Sequence, residues 1–545
     1  MRRKTRDADA PSTAGTDFLP GALLVGGARA TALLPRIGRR LRGALPARTG
    51  IARARTAERP PLAQGPDASV PSRVTRSWRL HRSILGLSAL VVIAALSLLY
   101  PSSPGYDPWA WIIWGREVAE LDLSTDNGPS WKPLPVLFTT VFSFAGDDAP
   151  DLWLLVARVG GLVAVVMAYR VAARLAGSMR ILAGLVAALG VLLVADFFAL
   201  VAAGWSELLL AGFVLLALER HLDGRRGAAF GLMFAAALIR AEMWPFLALY
   251  GAYVWRRDPS TRYLVAALLL LVPVLWFGPD LVAARDPLRS QVRAQQPLPG
   301  RPALAERPAL EVLRQGEELV LRPIQVLATL GFAVATVAFA RRRSEAATLV
   351  LALGCVAWVA IVAVMAEVGY TGNPRYLVPA AAFVCVLAGV GAARAAEGAR
   401  IALARLWKRP VPMRPTGLAA SLALFATLVP AALPALERLD AGAKRVRSQA
   451  ELPVDLDHAV RLAGGRERVL ACGDVFTGAF EVPVVAWTLH LHMRDVSNVA
   501  RPPGVIFRVD PKAAGSASGS VLKLDRRFQL VARTPHWDVL TSCRR

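Results

Sequence analysis

Cysteine, histidine, lysine and charged residues in general are scarce in this 545-residue chain, which has four Cys, six His, six Lys and 19% charged residues. Four cysteines are too few for a disulfide-stapled small domain. Neither a Cys-x-x-Cys pair nor a His-Glu-x-x-His box occurs, which argues against a structural zinc site. Hydrophobic residues reach 55%. That content excludes a disordered chain, and a soluble protein of this composition would expose large apolar patches.

Acidic residues are also in deficit, and the net charge is +24. Residues 1–82 carry 17 of the 64 Lys and Arg against five acids. Most of the other cations flank apolar runs, which is typical of a polytopic membrane protein rather than of a nucleic-acid-binding protein. We therefore expect no nucleic-acid partner. Residues 1–82 are predicted to form a disordered basic cytoplasmic tail that is attracted to anionic membrane lipids.

Long apolar runs recur from residue 84 onward, and each is about long enough to cross a bilayer core of roughly 30 Å. Residues 240–245 divide one such region into two short helices, which are predicted to meet near the outer leaflet. The run at 134–145 is too short to span and is predicted to be re-entrant or interfacial. The predicted spans lie near 84–100, 152–173, 180–200, 205–219, 227–239, 244–255, 263–278, 323–340, 345–365, 377–393 and 417–434.

The Lys and Arg residues of the loops set the orientation of these spans, because cytoplasmic loops carry an excess of cations. With the N-terminus inside, the inner loops hold 18 Lys and Arg, whereas the short outer loops hold five. The sequence thus predicts a mainly α-helical, polytopic bundle over residues 83–434 in the plasma membrane, with about 11 spans and the C-terminus outside. The five outer cations are Arg116, Lys132, Arg158, Arg240 and Arg375.

Two longer segments, 279–322 and 435–545, are also predicted to lie on the outer side of the membrane. Loop 279–322 is rich in proline and is predicted to be an irregular lid with one amphipathic helix near 303–319. Residues 435–545 are predicted to form a small extracytoplasmic α/β domain. Its predicted elements are a helix near 455–463 and strands near 467–471, 483–488 and 504–509.

Two cysteines and two histidines of the C-terminal domain have possible roles. Cys472 and Cys543 lie in an oxidising compartment, so we expect a disulfide between them. His490 and His492 alternate on a predicted strand. A metal-binding pair and ordinary strand polarity both fit these two histidines, but no third ligand is evident.

Aromatic residues crowd the first outer loop, 101–133. Trp109, Trp111 and Trp114 fit an interfacial aromatic belt, which needs no further function. Asp107 follows the first span directly, at the depth of the membrane surface. It fits either a catalytic carboxylate or the N-cap of the helix that follows.

Lys132 closes the same loop and is unusual in a chain that uses arginine almost throughout. It is the only lysine between Lys4 and Lys408. A lysine ammonium is a compact point charge. At the outer interface, Lys132 therefore suits a phosphate ligand.

Short motifs follow one another along the bundle. Asp107 comes soon after the first span, and the long loop after it closes on Lys-Pro-Leu-Pro at 132–135. Ala-Arg-Val-Gly-Gly-Leu follows at 157–162, and Gly-Asn-Pro-Arg-Tyr-Leu-Val-Pro lies in a late outer loop at 372–379. This order resembles the GT-C glycosyltransferases, in particular protein mannosyltransferases and lipid A aminoarabinose transferases. The resemblance extends over roughly 84–435.

The resemblance implies a GT-C fold and a membrane hexosyl- or pentosyltransferase of inverting type. Such an enzyme moves a sugar from a polyprenyl-phosphate donor to a cell-envelope acceptor, which is a glycan, glycolipid or protein. Asp107 would be the general base on the acceptor hydroxyl, and Lys132 would bind the carrier phosphate. Because cations stabilise the negative charge of a departing phosphate, Arg375 is predicted to be a second phosphate ligand. No metal site is predicted, and metal dependence is left open.

Further residues are predicted to support this site, and several of them also have a structural interpretation. Arg240 and Glu242 could be an ion pair that braces the divided helices. Arg158 could pair with Asp151 or with lipid headgroups. Glu207 could be an ordinary helix N-terminal acid. The predicted supporting residues are Glu117, Arg158, Glu207, Arg240, Glu242 and Tyr376.

Two other functions remain as alternatives. A transporter or flippase usually places ionisable groups near the middle of its spans and often has paired halves. Here the charges gather at the outer surface, no internal repeat is evident, and only the break at 240–245 favours transport. A non-catalytic membrane protein that binds cell-wall components is the third interpretation.

Overall fold

The computed structural model describes residues 73–509 and 525–543. The predicted cytoplasmic tail lies outside the described residues as far as residue 72, and the first helix begins at Arg73, within the last part of that predicted tail. The helices up to the C-terminal region are α1 (Arg73–Ser97), α2 (Tyr106–Ala119), α3 (Pro133–Phe142), α4 (Ala149–Ala176), α5 (Arg180–Leu192), α6 (Phe197–Ala202), α7 (Glu207–Leu222), α8 (Arg226–Ala237), α9 (Trp244–Arg257), α10 (Arg262–Ala283), α11 (Arg289–Ala294), α12 (Pro308–Glu317), α13 (Arg322–Arg342), α14 (Ala346–Glu367), α15 (Val378–Leu406) and α16 (Met413–Leu462).

Apolar helices dominate this part of the chain, and every predicted span contains one. Many of their large side chains are exposed, among them Leu85 on α1, Val274 on α10 and Val350 on α14. Such a surface is stable only against lipid, so the bundle is embedded in a membrane. Among the described residues, five segments are long and apolar enough to cross a membrane, by length and composition: Pro133–Ala176, Pro259–Ala283, Arg322–Arg342, Ala346–Glu367 and Pro374–Leu406. The number of 11 crossings and the N-in orientation stay predictions.

Helix α15 is the central helix of the bundle and is buried along most of its length. Gly391 lies so close to the carbonyl of Leu327 on α13 that no Cβ would fit, and Gly389 lies equally close to the carbonyl of Ala183 on α5. Small residues allow such close backbone approach between helices in membranes. The predicted span 180–200 is broken, because α5 ends at Leu192 and α6 begins only at Phe197.

Helices α2 and α3 pack closely, and this contact positions the two ends of loop 101–133. The Thr139 hydroxyl of α3 donates to the Trp111 carbonyl of α2 at 2.6 Å. A Cβ on Gly115 would collide with Thr139. The residues that begin α2 and those that lead into α3 are therefore held next to each other.

Beyond the bundle lies an α/β region, as predicted. Helix α16 runs without a break through the boundary predicted at 434 and 435. The elements that follow are α17 (Arg466–Ala471), β1 (Asp474–Thr477), α18 (Val482–Thr488), β2 (Val496–Ser497), β3 (Gly504–Val509), β4 (Gln529–Arg533) and β5 (Trp537–Ser542). The strands form one sheet in the order β2-β1-β3-β5-β4, in which β1 is parallel to β2 and β3, and β5 is antiparallel to β3 and β4. Cys472 and Cys543 are bonded to each other.

Two of the predicted strands in this region are wrong. Residues 467–471 lie in α17 and residues 483–488 lie in α18. Short apolar runs do not distinguish a strand from a buried helix, and Pro483 suits the first turn of a helix because it lacks the N–H that a strand would use. The strand at 504–509 and the helix at 455–463 are confirmed. The predicted lid helix near 303–319 corresponds to α12.

Candidate active site

Six ionisable side chains from five separate segments meet at one end of the bundle, and we call them the charge cluster. They are largely buried, with exposed fractions from 0% for Glu207 to 14% for the side chains of Asp107 and Arg375. Three are acids and three are bases, so the cluster is neutral when all are ionised. Its members are Asp107, Lys132, Glu207, Arg240, Glu242 and Arg375.

Every member of the charge cluster lies at or just before the start of a helix. Asp107 and Glu207 lie in the first turns of α2 and α7, Lys132 directly precedes α3, and Arg375 lies in the turn before α15. Arg240 and Glu242 lie in the short connection between α8 and α9. Helix N-termini carry partial positive charge and favour anions. Three cationic side chains therefore lie among helix starts at this end of the bundle.

Asp107 is paired with Arg375, whose Nη2 lies 2.7 Å from Asp107 Oδ2. Burial raises the pKa of Asp107, but the charges of Arg375 and Lys132 outweigh it and hold that pKa below its usual value. The carboxylate is therefore ionised. The N-cap interpretation is wrong, because Gly105 is the N-cap of α2 and Asp107 lies inside the helix.

Arg375 lies flat on an aromatic ring, with Cζ 3.5 Å from the centre of the Trp205 ring. This stacking occupies one face of the guanidinium. Nη2 is used by Asp107, whereas Nε and Nη1 have no hydrogen-bond partner within the described part of the chain. Arg375 thus keeps two donors for a ligand.

Glu207 lies between the two arginines of the cluster. Its Oε1 is 3.3 Å from Arg240 Nη1 and 3.6 Å from Arg375 Nε. Oε2 is buried and lacks a hydrogen-bond partner among the described residues. Glu207 is also the first residue of α7, as the helix-terminal interpretation requires, so a role in the cluster and a role at the helix end are compatible.

Arg240 and Glu242 form the tightest ion pair of the cluster, with Nη2 2.5 Å from Oε1. Arg240 Nε contacts both carboxylate oxygens, at 3.2 and 3.1 Å. The Tyr376 ring centre lies 3.5 Å from Arg240 Cζ, and the Trp358 indole donates to the Tyr376 carbonyl at 2.8 Å. The bracing pair expected from the sequence is therefore present, and it is part of the charge cluster.

Lys132 is buried, with its Nζ 4.8 Å from the centre of the Trp111 ring. Nζ has no hydrogen-bond partner in the part of the chain that the structure describes. Burial is the largest influence on this group and lowers the pKa of Lys132 to about 8, although Glu207 opposes the shift. Burying an ammonium without hydrogen-bond partners costs free energy. An anionic ligand that accepts its hydrogen bonds would offset this cost.

Glu117 lies outside the charge cluster, between α2 and the C-terminal region. Its Oε2 accepts from the Ser124 N–H at 3.0 Å, and its Oε1 lies 2.9 Å from His492 Nδ1. His490 Nδ1 lies 3.2 Å from Arg116 Nη1. The strand predicted for the two histidines is wrong, because both lie in the turns after α18, where they contact α2. Within the described ranges, no group of three potential ligands that could hold a metal occurs.

Arg158 also lies apart from the charge cluster. Its Nη1 donates to Ser97 Oγ at 3.0 Å, and its Nη2 donates to Ser102. Arg158 therefore ties α4 to the end of α1 and to the start of the first loop. Of the two partners considered for Arg158, Asp151 forms no ion pair with it among the described residues, and contact with lipid headgroups stays a prediction.

The aromatic-belt interpretation of the first loop is wrong. Trp109, Trp111 and Trp114 are 7%, 0% and 0% exposed, because α2 lies beneath the C-terminal region and against α3 and α4. Sequence reasoning also missed the platforms that Trp111 and Trp205 provide for Lys132 and Arg375. For Lys132 the available signal was the density of tryptophan in loop 101–133, whereas Trp205 and Arg375 lie far apart in the sequence and offered none.

Comparison with known proteins supports the fold. No family model and no curated protein matches the sequence. The structure matches ArnT from Cupriavidus metallidurans in the apo state, with a TM-score of 0.51 and 14% identity over 86% of this chain and 98% of ArnT. ArnT bound to undecaprenyl phosphate matches with a TM-score of 0.50 and 14% identity, over 84% of this chain and 97% of ArnT. An oligosaccharyltransferase from Archaeoglobus fulgidus matches with a TM-score of 0.42 and 13% identity, over 77% and 68% of the two chains, which is too distant to carry an argument.

The chain thus has an ArnT-like fold: a membrane helix bundle followed by a small region with a sheet. The fold expected from the sequence motifs is confirmed.

Proposed function

We propose that this protein is a membrane glycosyltransferase that moves a sugar from a polyprenyl-phosphate donor to a cell-envelope acceptor at the outer membrane face. One observation carries the proposal. The ionised carboxylate of Asp107 lies beside the buried cations of Lys132 and Arg375, and Lys132 Nζ and Arg375 Nε and Nη1 have no hydrogen-bond partner among the described residues. The GT-C fold supports the same function, and so does the ArnT structure that holds undecaprenyl phosphate.

Lys132 and Arg375 are proposed to bind the donor phosphate. Phosphate oxygens would accept hydrogen bonds from Lys132 Nζ and from Arg375 Nη1 and Nε, the three groups that lack acceptors. Charge-assisted hydrogen bonds of this kind are stronger than neutral ones. They also strengthen as negative charge grows on the departing phosphate in a buried site.

Asp107 is proposed to be the general base. Arg375 engages Oδ2, so Oδ1 is the oxygen that would take the proton from the acceptor hydroxyl. In an inverting reaction, the acceptor oxygen bonds to the anomeric carbon as the bond from that carbon to the phosphate oxygen breaks. The proton moves to Asp107, and polyprenyl phosphate leaves. A phosphate that draws Arg375 away from Asp107 would also make the carboxylate a stronger base.

The decisive experiment tests transfer by purified protein in bilayers, with a panel of radiolabelled polyprenyl-phosphate sugars and envelope acceptors. We expect transfer from at least one donor, and we expect Asp107→Asn to abolish it. Asp147→Asn, the same change at an exposed position, should have no effect. Full activity of the Asp107 variant would remove Asp107 as the base. Absence of both transfer and undecaprenyl phosphate binding by the unaltered protein would contradict the proposal as a whole.

A further inference from the structure

Lys132 lies at the end of a loop segment that a second outer loop holds in place. Helix α11 of loop 279–322 lies against residues 128–131. Arg289 donates to the carbonyls of Pro129 and Gly128 at 2.6 and 3.0 Å, and Arg293 Nε donates to the Gly128 carbonyl at 3.2 Å. These bonds bring α11 to the backbone that leads into Lys132.

Among the α11 residues, Ser290 bonds to the positions that are closest to Lys132 in the chain, Ser130 and Trp131. Its Oγ accepts from the Trp131 N–H at 2.7 Å, and its carbonyl accepts from Ser130 Oγ at 2.8 Å. The Ser290 N–H donates to Oδ2 of Asp280, a fully buried residue of α10, at 3.1 Å. A chain of hydrogen bonds therefore runs from α10 through Ser290 to the residue directly before Lys132.

The backbone around Lys132 decides where its ammonium lies. Nζ contacts the face of Trp111 and has no hydrogen bond to any described residue that could fix it. On the C-terminal side, the Leu134 N–H donates to the Leu238 carbonyl at 3.1 Å. On the N-terminal side, the Trp131 backbone is held through its N–H, and the acceptor is Ser290.

We propose that Ser290 is a positioning residue that holds the Lys132 ammonium toward the phosphate of the donor. The inference rests on the proposed function, in which Lys132 binds that phosphate. Ser290 does not contact the donor. It sets the backbone of Trp131, and through it the direction of the lysine side chain, and small displacements of this kind weaken charge-assisted contacts.

The test is a double-mutant cycle on ligand binding. Affinity for undecaprenyl phosphate is measured for the unaltered protein, Ser290→Ala, Lys132→Ala and the double variant, with undecaprenol as the probe without phosphate. Loss of one hydrogen bond predicts that Ser290→Ala binds undecaprenyl phosphate about 3- to 10-fold more weakly. In the Lys132→Ala background, Ser290→Ala should change the affinity by less than about twofold, because the lysine through which it acts is absent. Undecaprenol binding should not change.

Two further variants test the role of the Ser290 hydroxyl and of its second hydrogen bond. Ser290→Thr keeps the hydroxyl and should retain the affinity of the unaltered protein. Ser130→Ala removes the other hydrogen bond to Ser290 and should show the same dependence on Lys132. Thermal melting of each variant separates loss of fold from loss of binding.

The outcomes distinguish the inference from the function on which it rests. If Ser290→Ala weakens binding by the same factor with and without Lys132, Ser290 does not act through the lysine, and the inference is overturned while the donor site stands. If Lys132→Ala itself leaves undecaprenyl phosphate binding unchanged, the proposed donor site is wrong.

Discussion

The guanidinium of Arg375 donates to the carboxylate of Asp107, with Nη2 2.7 Å from Oδ2. This bond joins the proposed base to a proposed phosphate ligand, although the two residues lie 268 positions apart in the chain. In the proposed site the donor phosphate would bind Nε and Nη1 of the guanidinium that already holds Asp107 through Nη2. Donor binding and proton acceptance would then be coupled through one arginine.

Replacement of Arg375 tests this coupling. Arg375→Ala removes two donors that have no hydrogen-bond partner among the described residues and also removes the partner of Asp107. We therefore expect kcat/KM for transfer to fall by about 10²-fold or more. Arg375→Lys should recover only part of the loss, because lysine lacks the planar fork and the stacking on Trp205. Kinetics with a donor identified in the bilayer assay would measure both. Arg322→Ala, at an exposed arginine that begins α13, serves as the matched control.

The lowered pKa of Lys132 predicts that donor binding depends on pH. Because burial lowers its pKa to about 8, the side chain is charged below that pH and loses its charge as the pH rises through it. Affinity for undecaprenyl phosphate should therefore decrease from about pH 8 upward. Lys132→Arg stays charged over this range, so its affinity should show little pH dependence. A pH profile of equal slope in both proteins would assign the titration to another group.

The Cys472–Cys543 disulfide should stabilise the C-terminal sheet. It spans 71 residues, and closing a loop of that size is worth about 4 kcal/mol in the chain-entropy model. Replacing both cysteines with serine should make the region after α16 much more sensitive to limited proteolysis, while the bundle stays intact. Cys355→Ala, at a buried free cysteine, controls for the loss of a thiol elsewhere. Equal protease resistance of the two variants would refute a stabilising role.

The helices and part of the charge cluster could be predicted from the sequence, because both depend on local signals. Apolar runs of sufficient length predict membrane helices in any context. Cations are scarce in the loops predicted to lie outside, which drew attention to Lys132, Arg240 and Arg375. The order of the motifs along the chain predicted a site role for Asp107. The short separation of Arg240 and Glu242 in the chain predicted their ion pair.

The remaining features depend on tertiary contacts that leave no local pattern. The sequence pattern around His492 is typical of a strand, but in the fold this residue follows α18 and contacts Glu117. The sequence around Trp111 is typical of a membrane interface, but in the fold the surrounding helices bury this side chain. Ser290 is one serine in a proline-rich loop, and only the fold places its hydroxyl against the Trp131 N–H.

Glu207 provides a last test, because it is a fully buried acid in contact with two arginines. Removing one partner from a buried ion pair leaves uncompensated charge and costs about 3–5 kcal/mol. Glu207→Gln should therefore lower the melting temperature clearly, whereas the same change at the exposed Glu306 should not. Glu207 also raises the pKa of Lys132, so its loss should move the decrease in undecaprenyl phosphate affinity to lower pH. An unchanged pH midpoint in a folded Glu207→Gln protein would mean that Glu207 braces the helices without influencing Lys132.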